Sequence, residues 1–294
     1  MWQATLDGLA VGASYALLAI AFTLVFGVLR SINLAFGACI MLGLYAAMWA
    51  RQQWGVDGLW LLPLCVLVTA AAGLYVDRLC FAPHRQRAAV TMMAASFAIW
   101  MQLEEFATAL LPRHTNAFPS LFGIGERAGE QALLRPDYLA AMACAGATAG
   151  LAWFLVHRTR WGVSLRAVAD LHDAATLVGI RVERVIAWVT LLAAALGGVA
   201  GFLIASIDAQ VTPMFAMWAT MKGMIAALLG GLGSFGGALA GGLLLGLLEF
   251  HAQRTLGAQG REFLGYLLLL LVLWRCPGGL AGLARGGRSA AGAA

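Results

Sequence analysis

The chain has 294 residues, of which 62% are hydrophobic and 11% charged, with a net charge of +5 and a mean hydropathy of +0.83. Soluble domains carry roughly 25% charged residues, so this composition excludes an ordinary soluble protein and points to an all-α polytopic membrane protein. The basic excess then reports membrane topology rather than nucleic-acid binding.

Apolar runs near the ~20 residues needed to cross a bilayer follow one another along the chain. They cover Ala4–Leu29, Asn33–Ala50, Leu59–Val76, Val90–Leu111, Tyr138–Val156, Val185–Ile207, Met214–Leu232, Gly236–Phe250 and Phe263–Trp274. No Lys or Arg precedes Arg30, so the first run lacks the basic start of a signal peptide and reads as a retained span. Cys39, Cys65, Cys80, Cys144 and Cys276 lie in or beside these runs at no metal-like spacing. They read as small buried hydrophobes.

Arginines set the orientation. Arg30, Arg78, Arg85, Arg87, the segment His157–Arg184, Arg275, Arg285 and Arg288 fall on one side. Arg51, Arg113, Arg127, Arg135, Arg254 and Arg261 fall on the other, among Asp57, Glu126, Glu130, Asp137 and Glu262. The first set is larger and is placed in the cytoplasm, which puts the N-terminus outside and the C-terminus inside. Met214–Leu232 holds Lys222 and is compatible with a re-entrant segment, so the expectation is eight or nine crossings in one domain, 1–294. Residues 283–294 read as a flexible tail.

The segment 158–184 is the largest polar island. It carries Arg158, Arg160, Arg166, Arg181 and Arg184 between two apolar runs. Charge at that density cannot lie in lipid. Ser164 is suited to cap a short helix, Gly179 to end one, and Arg166 with Asp170 to pair at i,i+4. The result is a small helical projection suited to touching another protein.

Small residues recur every fourth position at Ala193, Gly197, Gly201 and Ala205, and again at Gly233, Gly237 and Gly241. Such stripes let helices approach closely, which lipid does not otherwise drive. They serve packing, or packing between helices that move. Along Val90–Leu111 one face reads Thr91, Ala95, Ala98, Gln102, Glu105, Ala109. It is expected to face protein or a water-filled path, with Glu105 either on that path or merely interfacial. Lys222, the sole lysine, either snorkels to the surface or pairs with Glu105 or Asp208. Asn33 is a path residue or only a cap. No phosphate-binding G-x-x-x-x-G-K-[ST] loop, H-E-x-x-H or G-x-S-x-G occurs, so an intramembrane enzyme, metal site or ATP site has no support.

Several blocks carry a resemblance. Asp173-Ala174-Ala175-x-x-x-Gly179 resembles the EAA-x-x-x-G signature of ABC importer permeases, with Asp for Glu. Gly12–Gly37 (GASYALLAIAFTLVFGVLRSINLAFG) looks like the opening of branched-chain amino acid permeases of the LivH type. Met221–Gly242 (MKGMIAALLGGLGSFGGALAGG) resembles their glycine-rich block, and Arg275–Gly282 (RCPGGLAG) their terminal R-P-x-G-L-x-G. Phe36 and Ala38 depart from it, where that family usually has His or Gln and an acidic residue.

The resemblance implies an ABC importer permease. The projection, with Arg166, Asp173, Ala174, Ala175 and Gly179, would dock on two separate ATPase subunits. ATP would be used there and no cofactor bound by this chain. A second homologous permease subunit and a periplasmic substrate-binding protein would complete the assembly in the bacterial inner membrane. Asn33, Gln102, Glu105 and Lys222 are the path candidates. The cargo expected is a branched-chain or related amino acid. Urea or a short-chain amide is the alternative within the family, and an ion-coupled secondary transporter the alternative outside it.

Overall fold

The computed structural model describes residues 2–55, 58–84, 89–111, 116–119, 136–275 and 278–282. Arg85, Arg87, Arg113, Arg127, Arg135, Arg285 and Arg288, with Asp57, Glu126, Glu130, Cys276 and the tail 283–294, lie outside the described residues.

Helix α1 (Trp2–Leu29) is apolar on every face and has no polar stripe to show to water or lipid headgroups. A helix of that kind belongs in the middle of a bundle. Within its span 83% of the most apolar stretch is buried, against 12% for the span Gly260–Gly282 at the periphery. Around α1 pack α5 (Pro136–Arg158), α8 (Val182–Asp208), α9 (Phe215–Gly230) and α10 (Phe235–Arg275). Helices α2 (Phe36–Trp54), α3 (Leu61–Val76) and α4 (Ala89–Leu110) build the other flank. Two short helices, α6 (Arg160–Asp170) and α7 (His172–Leu177), lie between α5 and α8.

Six described helices are long and apolar enough to cross a membrane. They are Thr5–Leu29, Gly58–Phe81, Asp137–Arg158, Val182–Asp208, Phe235–Gly257 and Gly260–Gly282. The last two are arms of α10, which kinks at Gly257 with φ 77° and ψ −175°. The connection expected between Phe250 and Phe263 is therefore helical on both sides of that glycine, and Arg261 and Glu262 are helix residues, not loop residues. Only a residue without Cβ takes this backbone geometry readily.

Small residues carry the contacts between arms. A Cβ at Gly246 would collide with the Gly12 backbone, and one at Gly37 with the Ala216 carbonyl. At Gly197 it would meet the Phe36 ring at 2.8 Å, and at Gly201 the Ile40 side chain. Gly237 and Gly241 lie against the backbone of Gly230 and, for Gly241, of Ala226 as well. Without a hydrophobic drive between helices in lipid, this closeness supplies the dispersion contacts that hold the bundle.

The chain between α1 and α2 is not helical, yet Ser31, Asn33 and Ala35 are buried. Irregular backbone survives at depth only where protein satisfies its polar groups. Here Asn33 Oδ1 accepts from Ala35 N at 3.0 Å, Ser96 Oγ from Leu34 N at 3.3 Å, and Thr220 Oγ1 from Gly37 N at 2.9 Å. The span expected from Asn33 thus starts at Phe36, because these side chains replace the first helical bonds. At the other end, a two-residue ladder joins β1 (Asn116–Ala117) to β2 (Gln210–Val211), just past the end of α8.

Candidate functional site

Two features stand out from the bundle. The first is a charge cluster inside it. Lys222 on α9 is 1% exposed, and so is Glu249 on the first arm of α10. Lys222 Nζ donates to Glu249 Oε1 and lies 2.8 Å from Glu262 Oε2 on the second arm. The other Glu249 oxygen accepts from Arg261 Nε at 3.1 Å and from the Tyr15 hydroxyl at 3.1 Å. Arg261 closes the ring by donating to the Tyr15 oxygen, and its Nη1 reaches Gln253 Oε1 at 3.3 Å. Gly265 leaves room for the carboxylate, since a Cβ there would sit 3.0 Å from Glu249 Oε1.

Charges this deep persist only when paired and hydrogen-bonded. Lys222 and Arg261 balance Glu249 and Glu262, and Glu249 is the hub. The expectation that Lys222 snorkels, or pairs with Glu105 or Asp208, is corrected here. Its partners lie on α10, which the kink at Gly257 folds back against α9. Glu249 falls inside an expected span and was legible as an intramembrane charge. Arg261 and Glu262 were hidden because their helical arm read as a connection.

Beside the cluster is a cavity of about 110 Å³. Arg261, Glu249 and Gln253 line it from α10, and Asp208 from the end of α8. Val11, Ile207 and Phe250 form apolar wall, and Tyr138 of α5 lies at its edge. Among the described residues Asp208 forms no ion pair.

The second feature is the projection. Helix α6 is capped by Thr159, whose Oγ1 accepts from Gly162 N at 3.1 Å. Ser164, the expected cap, sits inside the helix and donates to Arg160 O. The expected Arg166–Asp170 pair is not formed. Both side chains are exposed, where such a pair adds little. Instead the guanidinium of Arg30 donates to the carbonyls of Ala169 and Asp170 at 3.2 and 2.9 Å, closing the end of α6.

Helix α7 contains Asp173, Ala174 and Ala175. The Asp173 side chain lies outside the described residues, Ala174 is exposed and Ala175 is buried. Gly179 has φ 81°, its N–H bonds Thr176 O at 3.0 Å, and Ile180 N bonds Ala175 O at 3.1 Å. This paired closure is the glycine-ended helix stop known as a Schellman motif. Leu177 is 88% exposed and Val178 75% exposed, with Leu171 beside them. Apolar side chains presented this way mark an interaction surface.

The stripe on α4 is placed differently from expectation. Met92, Ser96, Leu103 and Ala107 face the chain's own core, while Gln102 and Glu105 are exposed. Gln102 Oε1 accepts from the Tyr75 hydroxyl at 3.1 Å. The four path candidates do not converge within one subunit. Asn33 turns its own backbone, Gln102 and Glu105 look outward, and Lys222 is locked to Glu249. Three of the four described cysteines are buried, all four are free, and no metal-ligating group of three is found among the described residues.

A multi-pass bundle with paired internal charges and an apolar-tipped projection between two spans is a membrane transport protein. The sequence profile of the family described as branched-chain amino acid transport system / permease component matches residues 4–273, and the chain belongs to that family. It is 29% identical to the high-affinity branched-chain amino acid transport system permease protein LivH of Salmonella typhimurium, over 95% of both chains. It is 31% identical to BraD, the corresponding protein of Pseudomonas aeruginosa, over 95% of both chains. A probable branched-chain amino acid transport permease protein of Methanocaldococcus jannaschii is 26% identical, over 91% of this chain and 88% of that one. The chain is thus an ABC transporter permease of the multi-pass inner-membrane class and not an enzyme.

Proposed function

We propose that this chain is a permease subunit of an ABC importer and forms half of the path for a branched-chain or related amino acid. Two ATPase subunits drive it, a second homologous permease subunit completes the path, and a periplasmic binding protein delivers the substrate. ATP is bound by the ATPases, and this chain supplies the lever. The observation that carries this reading is the projection, a helix ended at Gly179 and tipped by Leu177 and Val178. Three apolar side chains held in water beside arginines gain free energy only when another surface covers them.

The orientation follows from the arginines. The projection is cytoplasmic, the N-terminus outside and the C-terminus inside. Helices α2, α4 and α9 join the six strongly apolar spans to make nine crossings, an odd number as opposite termini require. At 1.5 Å per residue, the 16 residues of α9 extend about 24 Å. That falls short of the ~30 Å hydrocarbon core, so polar groups near its ends meet protein rather than lipid.

Alternating access then needs the ATPases to bind one arrangement of the projections more tightly than the other, because only differential affinity shifts a conformational equilibrium. Glu249 is the kind of buried carboxylate an ion-coupled transporter would use, but Lys222, Arg261 and Tyr15 occupy both of its oxygens. The test is co-expression with ATPase and partner permease subunits. Gly179→Val should insert and fold normally yet lose ATP-driven uptake, and wild-type uptake by this variant would remove the projection from the mechanism.

A further inference from the structure

We propose that the cavity between α1, α8 and α10 is a subsite for the charged head of a zwitterionic amino acid, with Asp208 receiving the ammonium group and Arg261 the carboxylate. The proposal rests on the permease reading and names the chemistry its path selects.

The cavity carries opposite charges on different helices, Asp208 at the end of α8 and Arg261 on the second arm of α10. The neighbouring charges cancel. Lys222 and Arg261 offset Glu249 and Glu262, which leaves Asp208 as the one lining carboxylate without an ion pair among the described residues. A ligand cation beside Asp208 would balance the set. Arg261 spends one N–H each on Glu249, Tyr15 and Gln253. A guanidinium has five, so two remain for a ligand anion. The Glu249 and Tyr15 contacts hold the fork in place before a ligand arrives, which lowers the ordering cost of binding.

Val11, Ile207 and Phe250 supply the apolar wall that a branched side chain needs, each buried methylene adding about 0.8 kcal/mol. The cavity lies where α8 ends, α5 begins and α10 turns, the end of the bundle assigned to the outside. A substrate handed over by a binding protein meets it early. Urea and short amides bring no charges and would leave Asp208 and Arg261 unmatched, and sites built for a polar group reject analogues lacking it.

The experiment uses the whole nucleotide-free complex in lipid nanodiscs without binding protein, with radiolabelled leucine as the probe. Leucine is expected to bind saturably. 4-Methylpentanoate, which lacks the ammonium, and leucinamide, which lacks the carboxylate, should compete at least tenfold more weakly, and urea not at all. Asp208→Asn should weaken leucine binding at least tenfold, and Asp208→Glu should recover most of it. Ile207→Trp should fill the cavity and abolish binding. If that variant does not assemble, the Asp208 pair decides alone. Absence of saturable binding, equal competition by the two analogues, or unchanged affinity in Asp208→Asn overturns the proposal. ATP-driven leucine uptake by the wild-type complex is scored separately. Uptake without this binding sinks only the subsite, whereas no ATP-driven uptake of any substrate sinks the permease reading.

Discussion

Replacing Glu249 by leucine removes the hub of the cluster while keeping volume. Lys222 is then left with Glu262, whose side chain is 38% exposed, and Arg261 with Tyr15 and Gln253. Breaking a buried ion pair by deleting one partner costs about 3–5 kcal/mol. Because each cation keeps a second partner, the lower end applies, about 3 kcal/mol. Lys222→Met is milder. It leaves Glu249 with Arg261 and Tyr15, so the loss is one charge-assisted hydrogen bond, about 1.5 kcal/mol. The assay is reversible unfolding of the purified chain in mixed detergent micelles. The order wild type, Lys222→Met, Glu249→Leu is the expected result. A Glu249→Leu variant within about 0.5 kcal/mol of wild type, the spread of an ordinary surface substitution, would refute the reading of Glu249 as hub.

Gly179→Val forces a branched residue to φ 81° with no side chain within 4 Å of the new Cβ. The cost is backbone strain alone, about 1–2 kcal/mol, so insertion should be normal while uptake by the complex falls. Gly246→Leu would drive a side chain into the Gly12 backbone and should separate α1 from α10, seen as loss of the folded monomer on size exclusion. With native cysteines replaced, Leu177→Cys should react with an impermeant maleimide only from the cytoplasm, and Thr255→Cys only from outside. Reversed labelling would invert the assigned orientation.

Much of this was legible in the sequence, and the exceptions have physical causes. The spans were visible because lipid demands long apolar runs, and the stop at Gly179 because turn chemistry is local. Lys222 drew notice as a lone cation in an apolar run. Its partners did not, because pairing Lys222 with Glu262 depends on the fold-back at Gly257, and nothing local announces which way a kinked helix turns. The stripe on α4 was misassigned for a related reason. Periodicity shows that a helix has two faces, but which face meets the core depends on α2 beside it, and there Met92, Ser96, Leu103 and Ala107 fit. Thr159 displaced Ser164 as the cap because α6 begins one residue after α5 ends.

The central claim is that this chain carries an amino acid through a membrane under the drive of separate ATPases. The most direct measurement is uptake of radiolabelled leucine into proteoliposomes that hold this chain, its partner permease and the ATPases, with binding protein and ATP on their proper sides. The account predicts ATP-dependent leucine accumulation that is lost in Gly179→Val and is not competed by urea. Accumulation that proceeds without ATP, or that Gly179→Val leaves at the wild-type rate, would contradict it.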